Sequence, residues 1–157
     1  MNLYTLGYEG LDLSAFIARL KQAGVRQVID VRELPLSRKK GFSKSALAAA
    51  LIDHGIAYVH MAALGCPKPI RNRYKHDGNW GAYEKGFVAY LNTQADAVLT
   101  VARLAREKAI CMICFEADYR QCHRRMVARA AAARGAPSVI HLTPETEAPD
   151  AQLRAAA

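Results

Sequence analysis

The chain has 157 residues, 52% of them hydrophobic and 23% charged, which is the size and composition of one ordinary globular domain and argues against disorder. It shows neither an apolar run near the ~18 residues of a membrane helix nor a signal peptide, and its four cysteines are too few for a disulfide framework. Membrane, secreted and fibrous classes are therefore disfavoured, a cytoplasmic protein without a membrane partner is expected, and the net charge of +8 favours anionic ligands.

Short β-branched runs alternate with helical patterns along the chain. In chain order, strands are predicted at residues 3–6, 27–31, 57–61, 109–114 and 138–142. Helices are predicted after Asp12 or Ser14, after Ser43, across 81–108 as one or two segments and after Asp118, with a long loop at 62–79. Strands that alternate with helices indicate an α/β fold, here a mostly parallel sheet of about five strands with helices on both faces.

The end of the domain is predicted near residue 143. From Thr143 onward the sequence has no apolar periodicity, and two prolines interrupt it. We therefore expect residues 1–142 to form a single α/β domain and residues 143–157 to form a disordered C-terminal tail.

Polar side chains follow the predicted strands at the points where the strands end. In open parallel sheets, ligands bind in the crevice beyond the carboxyl ends of the strands. The candidate residues at this edge are Tyr8, Glu9, Asp30, Arg32, Ser37, Arg38, His60, Glu116, Cys122, His123 and Arg124. The members of this set that we expect to line one common hollow are Glu9, Asp30, Arg32, Glu116, Cys122 and Arg124.

Arginines are the expected ligands of an anionic substrate, because a guanidinium binds phosphate or carboxylate through two contacts. Asp30 lies two residues before Arg32 on the same face of the strand and can orient it; the alternative is that this pair is only structural. Arg38 and Arg124 are expected to bind the same anion. The further expected substrate contacts are Tyr8, Ser37, His60 and His123.

A carboxylate and a thiol are the expected catalytic groups. Glu116 leaves its strand just before a helix and is the expected general acid or base, with Glu9 or Asp30 as its partner. Cys122 is predicted in the first turn of the helix after Asp118, where the helix dipole and neighbouring arginines favour a nucleophilic or redox-active thiolate. The structural alternatives are a helix-entry salt bridge for Glu116 and apolar packing for Cys122.

The cysteine spacing gives only a weak signal for a metal. Cys111 and Cys114 are spaced as Cys-x-x-Cys, but residues three apart on a strand point to opposite faces. We therefore expect no metal at that pair, and the sequence identifies no cofactor. A site built from Cys114, Cys122 and His123 is a minority alternative.

Basic residues cluster in three segments, 38–44, 68–76 and 120–134, that contain no acidic residue. Such clusters are typical of proteins that bind phosphorylated ligands or polyanions, and also of soluble basic surfaces. In the second segment, basic and aromatic side chains interleave and are followed by Trp80 and Tyr83, a pattern that suits a phosphate backbone and a stacked base. The alternative for the two aromatic residues is packing beneath a solvated loop.

A set of motifs in fixed order gives a resemblance to a known family. The motifs are Thr5-Leu6-Gly7-Tyr8-Glu9, Val28-Ile29-Asp30-Val31-Arg32 with Pro35, Ser37 and Arg38, then Phe42, Tyr58, Leu64-Gly65, Cys114-Phe115-Glu116 and Cys122-His123-Arg124. Over residues 3–142 the chain resembles the family called domain of unknown function 488. The resemblance implies an α/β fold with its polar motifs on one side, and it implies no reaction. The chain departs from many relatives at Tyr8, where serine is usual, and at Cys66, where glycine is usual.

Three functions are consistent with these features. The first is an enzyme, a hydrolase or transferase, that acts on a small phosphorylated or nucleotide-like ligand at the carboxyl ends of the strands. The second is a nucleic-acid-binding module without catalysis, which uses the three basic segments. The third is a thiol- or metal-dependent redox protein.

Overall fold

In the computed structural model, which describes residues 2–150, six strands form one sheet. The strands are β1 (Leu3–Gly7), β2 (Gln27–Asp30), β3 (Ala57–His60), β4 (Ile110–Cys114), β5 (Val139–Leu142) and β6 (Glu147–Pro149). Across the sheet they lie in the order β3-β2-β4-β1-β5-β6, and every neighbouring pair is parallel except β5 and β6. The predicted α/β fold with a mostly parallel sheet is confirmed, with one strand more than expected.

The same residues form six α-helices. They are α1 (Leu13–Gln22), α2 (Lys44–Asp53), α3 (Lys68–Asp77), α4 (Trp80–Leu91), α5 (Ala95–Glu107) and α6 (His123–Ala132). Helices α1 and α2 cover one face of the sheet, and α4, α5 and α6 cover the other, so helices lie on both faces as expected. Within residues 2–150, every helix is too short or too polar to cross a membrane.

The core has two layers because successive side chains of a strand point to opposite faces. On β4, Ile110 and Met112 pack in the layer beneath α4, α5 and α6, whereas Cys111 and Ile113 pack in the layer beneath α1 and α2. Both faces of this strand are buried, which explains its continuous apolar sequence. The alternation also places Cys114 on the face opposite to Cys111, as the spacing predicted.

The prediction of a long loop at 62–79 is wrong, because most of this segment is helix α3. Pro67 precedes the helix and Pro69 lies in its first turn, where a proline costs no hydrogen bond since the first N–H groups of a helix have no acceptor within it. Gly78 ends the helix in the left-handed conformation, with φ of 65°. The basic residues of this segment therefore lie on a regular helix.

Asp118 caps a short 3₁₀ turn rather than the long helix predicted after it. Its side chain accepts a hydrogen bond from the backbone N–H of Arg120 at 3.0 Å. Helix α6 begins at His123, and Cys122 is its N-cap residue. Cys122 therefore lies one position before the helix instead of in its first turn, still at the positive end of the helix dipole.

Residues 143–150 continue the fold instead of forming a disordered tail. Strand β6 pairs with β5, and Asp150, which follows it, is 2% exposed. The carboxylate of Asp150 accepts a hydrogen bond from Arg129 Nε at 2.7 Å and lies 3.2 Å from His141 Nε2. A buried ionic contact leaves no periodic pattern in the sequence, which is why the strand was not predicted. The rest of the predicted tail, residues 151–157, lies outside the described residues.

Candidate functional site

A cavity of about 560 Å³ opens at the carboxyl ends of β2 and β4. The chain leaves β2 toward β3 on one side of the sheet and leaves β4 toward β5 on the other, so the two connections diverge at this point. Open α/β sheets bind their ligands where the strand order reverses in this way. Side chains from α3 and from the first turns of α4 and α6 complete the walls of the cavity.

One side of the cavity is an aromatic wall formed by Tyr74, Trp80 and Tyr83. The rings of Trp80 and Tyr83 stack with their centroids 4.6 Å apart and their planes 18° from parallel. Tyr74 meets these two rings edge-on, at centroid distances of 5.6 and 5.2 Å. Phe115 also lines the cavity and is 45% exposed. Such rings offer flat surfaces to a planar ligand.

The cations that line the cavity differ in how strongly they are already bound. Lys75 of α3 is exposed and forms no hydrogen bond or ion pair with any residue in the described part of the chain. Arg71, one turn earlier on α3, donates to the carboxylate of Glu33 at 3.0 Å and to the carbonyl of Cys66 at 3.0 Å. Lys75 is therefore the cation most accessible to an incoming anion.

Arg32 is held by the carboxylate that was predicted to orient it. Asp30 is fully buried and accepts hydrogen bonds from Arg32 Nε at 2.9 Å and Nη2 at 2.7 Å, and the hydroxyl of Tyr58 donates to the same carboxylate. Burial opposes the charge of Arg32, but the hydrogen bonds and the charge of Asp30 prevail and raise its pKa. Burial and Asp30 also raise the pKa of Tyr58. Arg32 Nη1 reaches the hydroxyl of Tyr8 at 3.2 Å, which holds Tyr8 beside the cavity.

Two thiols and a carboxylate meet at the end of β4. Cys114 Sγ lies 2.7 Å from Cys122 Sγ, and Glu116 Oε2 lies 3.4 Å from the first sulfur and 3.6 Å from the second. Cys114 is 1% exposed but lines the cavity, whereas Cys122 is 2% exposed and lies behind it. The cluster therefore contacts the cavity through Cys114 and through the exposed carboxylate of Glu116.

The two thiols are electrostatically unequal. Burial and the hydrogen bond with Cys122 raise the pKa of Cys114 well above its usual value. Burial also opposes ionisation of Cys122, but the hydrogen bond from Cys114 and the charge of Arg124 outweigh it and lower the pKa of Cys122. Cys122 is therefore the thiol of the pair that ionises first, and Cys114 is the thiol that keeps its proton.

Arg124 is the positive charge beside these thiols. It is fully buried, and its Nη1 donates to Cys114 Sγ at 3.1 Å and to the carbonyl of Glu116. Among the described residues, no carboxylate lies within ion-pair distance of Arg124, and its Nε has no acceptor. Because a guanidinium in a protein keeps its proton, the thiol pair is the neighbouring group that can supply the opposite charge.

His123 lines the cavity with a ring that is fixed in one tautomer. Its Nε2 lies 2.7 Å from the carbonyl oxygen of Val31. Since a carbonyl only accepts, Nε2 carries the proton and Nδ1 of the neutral ring carries none. Nδ1 lies 3.8 Å from Cys122 Sγ.

The structure also shows which residues could hold a metal ion. The ligand atoms of Cys114, Glu116 and Cys122 lie within 4.8 Å of one another. Glu116 rather than His123 thus completes the ligand group that the sequence suggested as a minority alternative. Thiolates with a carboxylate are a donor set that zinc accepts.

The structure brings many of the predicted site residues to one place. Those that line the cavity are Tyr8, Arg32, Glu116 and His123. Three more, Asp30, Cys122 and Arg124, lie directly behind its walls, whereas Glu9 is exposed outside the cavity. Glu9 contributes by accepting a hydrogen bond from the backbone N–H of Ala117 at 3.0 Å, which fixes the segment after β4. The common hollow exists, but most of the charged groups expected to line it support its walls instead.

The other predicted substrate contacts lie outside the cavity. The hydroxyl of Ser37 accepts from the backbone N–H of Lys39 at 3.0 Å, and Arg38 is exposed. His60 Nε2 donates to the carbonyl of Arg32 at 2.7 Å and so supports the segment after β2. None of Ser37, Arg38 and His60 is part of the cavity wall.

Three residues of α3 line the cavity although they were not predicted as site residues: Arg71, Tyr74 and Lys75. Their spacing of three and four places them on one face of a helix. The signal was therefore present in the segment 68–76, but the prediction of a loop concealed it.

Two glycines let backbone segments of the site approach each other. A Cβ atom on Gly7 would lie 1.8 Å from the carbonyl oxygen of Glu116, and one on Gly65 would lie 2.3 Å from the amide nitrogen of Glu33. Any other residue at these positions would displace the backbone on which the site depends.

A comparison with known families agrees with the ordered motifs. The family described as Domain of unknown function DUF488 matches residues 12–131, which is most of the chain, and the chain belongs to this family. The comparisons with curated proteins and with solved structures found no match.

Proposed function

We propose that this member of the family binds a nucleotide-like ligand in the cavity and acts on it as a hydrolase or transferase. The observation that carries the proposal is the composition of one cavity, which combines stacked aromatic rings, an accessible lysine and an exposed carboxylate. A nucleotide has the complementary groups, since it joins a planar base to a sugar and a phosphate. The volume of about 560 Å³ is within the range of ~300–1,000 Å³ that is common for small-molecule sites.

The aromatic wall receives the base in this proposal. Trp80 is half-buried and Tyr83 is buried, so their stacked rings are rigid while part of the indole stays accessible. Stacking of a base on such rings contributes about 1–3 kcal/mol and tolerates different bases. The wall therefore supports affinity for the nucleotide class without selecting one base.

The phosphate binds at Lys75 and Arg71 of α3, with Arg32 adding positive potential behind them. A hydrogen bond to a charged group contributes about 1.5–3 kcal/mol. Lys75 is favoured because it has no ion-pair partner among the residues that the structure describes. This assignment replaces Arg38, which lies outside the cavity, and Arg124, whose donors face backbone carbonyls and a sulfur.

Glu116 is the proposed general acid or base. Its carboxylate is exposed and lines the cavity, within reach of a bound ligand. Glu9 and Asp30 were expected as its partners, but the first holds the backbone of Ala117 and the second holds Arg32. Glu116 therefore acts without them.

Fluorescence titration tests the proposal directly, because Trp80 is the only tryptophan in the chain. Adenosine monophosphate and adenosine triphosphate should quench the fluorescence saturably, adenosine should bind more weakly, and inorganic phosphate should cause no quenching. The Lys75→Met variant should bind adenosine monophosphate about tenfold to a hundredfold more weakly, which corresponds to the loss of one charged hydrogen bond.

Lys85→Met is the matched control, since Lys85 is exposed on α4 and lies outside the cavity. Its affinity should equal that of the wild type. Glu116→Gln should bind the nucleotide and lose its turnover, as followed by mass spectrometry of the small molecules. Absence of saturable quenching by any nucleotide, or equal affinities of the two lysine variants, would contradict the proposal.

A single-stranded nucleic acid is a second candidate ligand, favoured by the exposed basic residues of α3. Lys68, Arg73 and Lys75 are exposed on the helix that borders the cavity. A strand could place one base on the aromatic wall and its further phosphates along α3. Affinity that rises with oligonucleotide length and falls steeply with salt supports this candidate. Equal affinity for a mononucleotide and an oligonucleotide supports the small ligand.

A further inference from the structure

We infer that Cys114 and Cys122 form a redox-active dithiol, balanced in charge by Arg124, that exchanges with low-molecular-weight disulfides entering the cavity. The inference goes beyond the proposed function and does not depend on nucleotide binding. It rests on the distance between the two sulfurs, on the buried guanidinium beside them and on the carboxylate of Glu116 at the cavity surface.

The two sulfurs already lie close to bonding distance. They are 2.7 Å apart, and a disulfide bond measures about 2.05 Å. Cys114 is the last residue of β4 and Cys122 is the N-cap residue of α6, so each lies at the end of an element. Oxidation therefore needs a small movement of two side chains and no rearrangement of the sheet.

Arg124 determines which state of the pair is favoured. When Cys122 is ionised, its negative charge lies 2.7 Å from Cys114 Sγ, and that sulfur in turn accepts a hydrogen bond from the guanidinium at 3.1 Å. A disulfide between Cys114 and Cys122 would be neutral and would leave the buried guanidinium without that charge. Stabilisation of the reduced form makes the disulfide easily reduced. The pair is therefore suited to exchange rather than to permanent cross-linking.

A metal ion is the other ligand that two thiolates and a carboxylate attract, and two features disfavour it here. The fixed positive charge of Arg124 lies beside Cys114 Sγ, where it repels a cation. The sulfurs are 2.7 Å apart, whereas two thiolates bound tetrahedrally to zinc at ≈ 2.3 Å lie ~3.8 Å apart. A bound metal would thus have to open the pair.

The exchange begins, with Cys122 ionised, when a disulfide R–S–S–R meets Cys114, the thiol that lines the cavity. The proton of Cys114 moves to Cys122, the Cys114 thiolate attacks one sulfur of the ligand, and R–S⁻ leaves as the mixed disulfide forms. Cys122 then gives its proton to the Glu116 carboxylate, 3.6 Å away, and attacks Cys114 Sγ. The bond between the two cysteines forms, and the second R–S⁻ leaves and takes the proton from Glu116. The protein loses two electrons and the small disulfide gains them.

Equilibration of the full chain in mixtures of reduced and oxidised glutathione tests this inference. The mixtures are quenched with acid, the free thiols are alkylated in denaturant, and mass spectrometry locates them. Cys114 and Cys122 should lose alkylation together, with one midpoint and one disulfide-linked peptide pair. Cys111, which is buried on the opposite face of β4, should stay alkylated throughout.

Variants separate the pair from the other thiols. Cys122→Ser should abolish the joint loss of alkylation, and Cys111→Ala is the matched control that should retain it. Arg124→Met should shift the midpoint toward more reducing mixtures, because its disulfide no longer leaves a buried charge unbalanced.

Three results would overturn the inference. They are full alkylation of Cys114 and Cys122 in every mixture, a mixed disulfide confined to Cys66, and stoichiometric zinc in the freshly purified protein that protects both thiols from alkylation. Because the experiment contains no nucleotide, its failure leaves the fluorescence titration unaffected, and the two proposals can fail separately.

Discussion

Two buried arginines at the carboxyl end of the sheet have different counter-charges. Arg32, just after β2, forms a bidentate ion pair with Asp30. Arg124, in the first turn of α6, donates to backbone carbonyls and to Cys114 Sγ, and no carboxylate of the described residues pairs with it. The first arginine is paired with a carboxylate, whereas the second lies beside a pair of thiols.

The difference lies in the chemistry of the group beside each guanidinium. Asp30 binds Arg32 through both carboxylate oxygens, and this bidentate ion pair holds the end of β2. A thiol pair can take up or release a proton near neutral pH when a cation lowers its pKa. The first contact therefore serves the architecture of the site, and the second provides the site with reactive sulfur.

The largest loss of stability is expected when the ion pair between Asp30 and Arg32 is broken. Asp30→Asn should lower the free energy of unfolding by about 3–5 kcal/mol, because Arg32 remains charged and buried without its partner. Urea denaturation followed by circular dichroism at neutral pH measures this loss.

Two further variants show whether the loss comes from the unpaired charge. The double variant Asp30→Asn/Arg32→Met should recover part of the stability, since it removes the charge that the single variant leaves unpaired. Tyr58→Phe, which removes only the hydroxyl that donates to Asp30, should cost about 1 kcal/mol. A double variant that is less stable than Asp30→Asn would contradict this explanation.

A third cluster, built around His141 and Asp150, differs from both arginine sites because its histidine is neutral at neutral pH although a carboxylate lies beside it. His141 is buried between Thr5 and Asp150. Burial outweighs the attraction of Asp150 and lowers the pKa of His141 from 6.5 to about 4. The unfolded chain therefore binds a proton that the native protein does not, and stability should fall by about 3 kcal/mol as the pH decreases from 6.5 to about 4.

Urea denaturation across that pH range measures the effect, with His141→Asn as the comparison. The variant should start from a lower stability at neutral pH, but its stability should decrease less as the pH falls. Parallel pH profiles of the two proteins would show that another group causes the loss.

The sequence was sufficient for the architecture and for the position of the cavity. Alternation of β-branched runs with helical patterns predicts the parallel sheet, and the carboxyl ends of its strands converge as the topology requires. The pair Asp30 and Arg32 was also predictable, because residues two apart on a strand share a face. These predictions succeed since they depend on local periodicity and on one topological rule.

Contacts between distant segments were not predictable in the same way. Helix α3 was missed because prolines at the start of a helix resemble those of a loop. The cations that α3 contributes to the cavity were missed for the same reason. Strand β6 was missed because Asp150, the residue after it, is held by contacts that the local sequence does not reveal. Its partners are Arg129 on α6 and His141 on β5. The sequence suggested a reactive Cys122 and grouped Cys114 with it only in a minority metal site, whereas the structure places the two sulfurs 2.7 Å apart.

Replacement of Arg124 is expected to lower the free energy of unfolding less than Asp30→Asn does. Arg124→Met should cost about 1–2 kcal/mol, less than Asp30→Asn, because the thiols left behind can bind a proton and become neutral whereas Arg32 cannot lose one.

The lowered pKa of Cys122 contributes stability that is present above the ordinary thiol pKa of 9.0 and is lost as the pH falls through the native value. The difference in free energy of unfolding between wild type and variant should therefore shrink as the pH decreases from 9.0 to the native pKa of Cys122, and it should stay constant below that pKa. Urea denaturation over this range, under reducing conditions, measures it. A cost as large as that of Asp30→Asn and independent of pH would mean that the thiols do not balance the charge of Arg124.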